Sequence, residues 1–114
     1  VIRRLVLVAV AVGAIAGAGG CAGSRDPRTV EFVVPAGTAA RLAAGQKVVV
    51  MPDRLELRVG DSLSIRNEDA VDQSVGPFWV GAGQTVRYTY GKAGTFEGYC
   101  ALSEGERYEI IVTE

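Results

Sequence analysis

The chain has 114 residues, 48% of them apolar and 22% charged, with 12 basic against 13 acidic side chains and no histidine. Such a length bounds it to one small domain plus terminal segments, and the balanced charge excludes the basic footprint of a nucleic-acid binder. The absence of imidazole removes the commonest general base at neutral pH and the usual activator of serine or cysteine nucleophiles, so the chain is not expected to be an enzyme.

The first 21 residues, VIRRLVLVAVAVGAIAGAGGC, place Arg3 and Arg4 before an unbroken apolar run that ends in small residues at Cys21. That is the layout of an export signal. The apolar run is shorter than the ~20 residues of a comfortable membrane span. A valine at position 1 suggests translation from an alternative start codon, which points to a bacterium. Removing residues 1–20 takes the formal net charge from −1 to −3, because it deletes two arginines and no acid. Residues 21–28 are polar and rich in breakers, which suits a tether.

From there the pattern is that of short strands. TVEFVV (29–34) alternates and is stopped by Pro35 and Gly37. TAARLAAG (38–45) suits a short helix near 38–44 closed by glycine. KVVVMP (47–52) is expected to be a short strand closed by its proline. LELRV (55–59) sets Leu55, Leu57 and Val59 on one face, and SLSIRN (62–67) turns Leu63 and Ile65 inward. EDAVD (68–72) is an acidic loop whose spacing does not suit an EF-hand, and a solvated turn is expected. QSVGPFWV (73–80) is extended around Gly76-Pro77, and alternation requires one of Phe78 and Trp79 to face outward. TVRYTY (85–90) puts Val86, Tyr88 and Tyr90 on one side. TFEGYCAL (95–102) leads into Cys100, and RYEIIVTE (107–114) ends the chain. Strands at spacings of about ten residues with glycine turns indicate an antiparallel-rich β-sandwich or barrel.

Two resemblances sharpen these expectations. Ala18-Gly19-Gly20-Cys21 resembles the lipobox of bacterial lipoproteins, which implies a signal peptide over 1–20, acylation of Cys21 and a lipid anchor at the extracytoplasmic face of the cell membrane. Residues 55–69 fit the pattern LxLxVGDxLxIxNxD, and Gly94–Cys100 followed by RYEIIV resembles the closing strands of the cupredoxins, the blue-copper β-sandwiches, of an actinobacterial lipoprotein type. The resemblance implies an all-β, Greek-key sandwich of about seven to eight strands over 29–114. It also implies where ligands would stand: Gln73 at the first histidine, Cys100 at the thiolate and Ser103 at the second histidine.

A blue-copper centre takes two imidazoles, a thiolate and a weak axial donor. Only the thiolate is present. Met51, the one methionine, precedes the signature, and a soft Cu(I) site on Cys100 would require Met51 to lie beside it. No cofactor is therefore expected, and the chain reads as a binding or structural module that meets another envelope protein. The alternative is a copper protein for electron transfer or copper handling, with Cys100 and atypical donors. A buried cysteine that fills space is the ordinary role of such a residue. A redox-reactive thiol would need exposure and a nearby cation, for which Arg87 and Arg107 are the candidates.

Overall fold

The computed structural model describes residues 25–114; the expected signal segment 1–20 and the acylation site Cys21 lie outside the described residues. β1 (Thr29–Val34) and the helix α1 (Thr38–Ala43) open the fold, followed by β2 (Arg54–Arg58), β3 (Ser62–Asn67), β4 (Gln73–Val75), β5 (Phe78–Val80), β6 (Thr85–Thr89), β7 (Gly94–Tyr99) and β8 (Arg107–Thr113). One sheet has the order β1-β3-β6, the other β2-β8-β7, and β4 pairs with β5 as a separate hairpin. This is the expected all-β Greek-key sandwich of eight strands and one short helix.

Alternation places the core. Leu63 and Ile65 on β3 are buried, and so are Leu57, Ile110 and Val112 on β2 and β8. Full burial of an aliphatic side chain of this size contributes about 1.5–3 kcal/mol. Val59, expected inward, is exposed because it has left β2 for the turn at Gly60. The sheets are mixed rather than mainly antiparallel. β1 runs parallel to β3 with Thr29 opposite Ser62, and β2 parallel to β8 with Arg54 opposite Glu109.

Residues 47–52 do not form the expected strand. Their pairing is confined to one bridge, Met51 opposite Ser103, with the amides of Val50 and Met51 both donating to the Leu102 carbonyl. The segment meets a loop rather than a strand, so no ladder can grow from it.

The acidic loop also departs from expectation at one residue. Asp69 is buried, and its carboxylate accepts the N–H groups of Gly37, Ala39 and Ala70 and the Gln73 amide. Gly37 caps α1 with φ 84° and no side-chain oxygen of its own. A carboxylate some thirty residues away in sequence therefore satisfies the helix's orphan donors. These hydrogen bonds, that from Ala39 first, hold the Asp69 carboxyl below the usual carboxylate range against the opposing effect of burial.

Candidate functional site around Cys100

Cys100 follows the last residue of β7 and is 2% exposed. Its amide donates to the Glu106 carbonyl at 3.2 Å, which closes the loop between β7 and β8. Ser103, fully buried, holds that loop from within. Its hydroxyl accepts the Arg107 N–H at 2.8 Å and faces the Arg107 and Cys100 carbonyls at 2.5 and 3.2 Å. The amide of Ser103 donates to the Cys100 carbonyl, and that of Glu106 to the Ser103 carbonyl. Glu106 takes the left-handed conformation at φ 56°, although Gly105 stands next to it.

The sulfur has a defined neighbour. The Gly76 N–H donates to Cys100 Sγ at 3.4 Å, from the tight turn between β4 and β5. Gly76 has φ 56°, and a β-carbon there would meet Met51 Sδ at 3.3 Å. The thiol and the thioether thus flank the same glycine. Sequence reasoning named both sulfurs but not the glycine between them; its only signal was the Gly-Pro turn, which predicts a bend but not its target.

Gln73 is half-buried at the start of β4, opposite Val80, and its amide nitrogen donates to Asp69 Oδ2 at 3.1 Å. The three sequence-predicted positions therefore lie on three different attachments. Cys100 is joined to Gly76, Ser103 to the backbone of its own loop, and Gln73 to the carboxylate that caps α1. The alternation expected at Phe78 and Trp79 is present: Trp79 is 68% exposed, and Phe78 turns inward against Tyr88 with ring centroids 5.7 Å apart. Neither candidate cation reaches the thiol by a described contact. Arg87 binds Thr29 Oγ1 on β1, and Arg107 serves the loop through its backbone with an exposed side chain.

These donors do not fit a mononuclear blue-copper centre. Such a centre needs two imidazoles beside its thiolate, and the chain contains none. The hydroxyl of Ser103 is neutral, hard and already used in three short contacts. Among the described residues no group of three His, Cys, Asp or Glu side chains converges.

No family model matches the chain, and no curated protein does. Solved structures that resemble it include a reduced Cu(I) form of an amicyanin variant, at 17% identity over 80% of this chain and 87% of that one, with a TM-score of 0.44. A purple cupredoxin from Nitrosopumilus maritimus resembles it at 21% identity over 73% of this chain and 98% of its own, with a TM-score of 0.45. A copper-containing nitrite reductase from Thermus scotoductus does so at 21% identity over 80% of this chain and 24% of its own, with a TM-score of 0.47. The likeness is one of fold, and the copper named for those proteins is theirs. The chain itself is an all-β sandwich over its described residues, with Cys100 at the end where β7 gives way to the loop before β8.

Proposed function

We propose that this chain is a lipid-anchored, extracytoplasmic cupredoxin-like module whose copper site is degenerate and whose role is to bind another envelope protein. The observation that carries the reading is the use made of the expected ligand positions. Ser103 spends its hydroxyl on the loop backbone, and Gln73 is oriented by its amide nitrogen toward Asp69. The Ser103 hydroxyl cannot turn toward a metal without leaving a buried group unsatisfied, at about 1–3 kcal/mol for each such group. Trp79, exposed on the strand after the Gly76 turn, gives that end an aromatic contact of the kind enriched in protein interfaces.

A second reading is favoured by one observation. Cys100 Sγ receives an N–H hydrogen bond from Gly76, and Met51 Sδ packs beside the same glycine. Thiolate and thioether are the soft donors that select Cu(I). On this reading the chain handles copper in its reduced state.

Copper added to the purified chain, as Cu(II) and separately as Cu(I) under reducing conditions, separates the two. The binding module gives no stoichiometric metal and no intense thiolate-to-copper absorption. One equivalent of bound copper, lost in Cys100→Ala, would replace it with the second reading. The membrane anchor is tested apart from the metal, by mass spectrometry of Cys21 in protein from its host: an unmodified Cys21 removes the anchor and leaves the metal question untouched.

A further inference from the structure

β7 is the outer strand of its sheet, and all six of its residues are exposed. Among the described residues no strand pairs with its other side. Which backbone groups lie free along that edge follows from the ladder with β8. The Cys100 amide donates to the Glu106 carbonyl, and the register continues as Gly98 opposite Tyr108, Phe96 opposite Ile110 and Gly94 opposite Val112. Antiparallel pairs alternate, so the even-numbered residues spend their N–H and C=O groups on β8. Those of Thr95, Glu97 and Tyr99 point away from the sheet. Natural edge strands are blunted by lysine, proline or a bulge. Gly94–Tyr99 has no lysine or proline, pairs with β8 without a bulge, and carries one charge, Glu97.

We propose that this edge pairs with the same edge of a second copy, antiparallel about a two-fold axis at Phe96. The two-fold confines the choice of register. A pair centred on Glu97 sets two carboxylates directly opposite each other. A pair centred on Gly98 shortens the overlap to Glu97–Tyr99. Centring on Phe96 puts Thr95 opposite the second copy's Glu97 twice over, and these are the residues whose backbone groups point outward. Phe96 then meets its own copy with Gly94 opposite Gly98 on either side, and the Tyr108 ring that lies over Gly98 flanks the pair. Phe96 is 41% exposed and already stacks on Tyr90 at 5.6 Å, so the new contact extends the aromatic row Phe78, Tyr88, Tyr90, Phe96 across the axis. Edge-to-edge pairing of this kind takes its affinity from main-chain hydrogen bonds and its register from the facing side chains.

The test is sedimentation equilibrium of the full chain in a non-ionic detergent, up to millimolar protein. A monomer–dimer equilibrium is expected. Thr95→Lys creates two attractive pairs with Glu97 across the axis and tightens the dimer about three- to tenfold; Thr95→Glu creates two repulsive pairs and loosens it by a similar factor. High salt narrows the gap between the two variants. Glu97→Pro removes an outward N–H that β8 does not use, and it abolishes dimerisation. A chain monomeric throughout overturns the proposal. So does a dimer indifferent to residue 95, which would be held elsewhere, for instance by the apolar N-terminal run. Two variants shifting the equilibrium in the same direction would overturn the register.

Discussion

The two ends of the sandwich solve the same problem by different chemistry. At one end, where Arg58 on β2 lies opposite Thr113 on β8, the chain buries a charge. Asp61 is 1% exposed, meets the Arg25 guanidinium at 2.6 and 3.0 Å and accepts the N–H groups of Arg28 and Arg58. At the other end, where Tyr99 lies opposite Arg107, the buried polar atoms of the closing loop are neutral: a thiol, a hydroxyl and backbone groups. A buried carboxylate must be matched by a cation or by several donors, and Asp61 has both. A buried hydroxyl needs only a carbonyl and an N–H, and Ser103 finds them within its own loop. The first arrangement ties distant segments together through charge, and the second stiffens one loop. At the second end the Ser103 hydroxyl is already committed to its own loop.

The largest effect is expected from removing the charge. Asp61→Ala strands two backbone donors and a guanidinium, and should cost about 2–4 kcal/mol in denaturant unfolding, the exposed flank of Arg25 keeping it below the cost of a fully enclosed pair. The same residue sets the acid limit. Its hydrogen bond with Arg25, then those from the Arg28 and Arg58 backbone, hold its carboxyl far below the usual carboxylate range against the desolvation that raises it. A depressed folded-state value means stability that is present above about pH 4, the unfolded value, and is lost as pH falls below it. Thermal unfolding followed from pH 6 down to pH 2 should show this loss, and Asp61→Asn should flatten it. An unchanged slope would mean that another carboxylate governs the acid limit.

Ser103→Ala is the matching cut in the neutral closing loop. It strands the Arg107 N–H and should cost about 1–2 kcal/mol, with no dependence on salt. If its cost varied with ionic strength as that of Asp61→Ala does, the distinction between the ends would fail. Gly76→Ala is expected to cost about 1–2 kcal/mol, because its φ of 56° suits glycine and the new methyl presses on Met51 Sδ. It should also speed the reaction of Cys100 with a thiol reagent, by loosening the turn that covers the sulfur. The smallest effect is a gain. The Tyr90 hydroxyl is buried with no hydrogen-bond partner among the described residues, and Tyr90→Phe should stabilise by up to about 1 kcal/mol. Burial, followed by the neighbouring Tyr88 and Tyr108, pushes the Tyr90 phenol up to about 12. Stability carried by the neutral phenol is therefore present below about pH 10 and lost as pH rises toward 12, a fall that Tyr90→Phe should remove.

What could be read from the sequence was what depends on neighbours two residues apart. Alternation located β1, β3 and β6 and the inward turn of Leu63 and Ile65, and it required the split between Phe78 and Trp79. What could not be read depends on partners distant in the chain. Residues 47–52 have the composition of a strand, but the chain brings a loop beside them, and composition carries no information about the partner. Asp69 looks like a solvated loop residue until α1 arrives with unsatisfied amides. At the candidate site the three positions were identifiable from the cupredoxin resemblance, whereas their commitments to Gly76, Asp69 and the loop backbone were not. Hydrogen bonds of this kind leave no mark in a one-dimensional pattern.

The order of strands within the second sheet has a consequence for how the molecule is made. Its central member is β8, which joins β2, some fifty residues earlier, to β7. Neither flanking strand can find its partner until that segment has left the machinery that delivers it. Half the sandwich must therefore wait for late synthesis, and pairing so remote in sequence places folding in the slow, millisecond-to-second range. A chain that stays open this long remains threadable, which is what the export proposed for it would require.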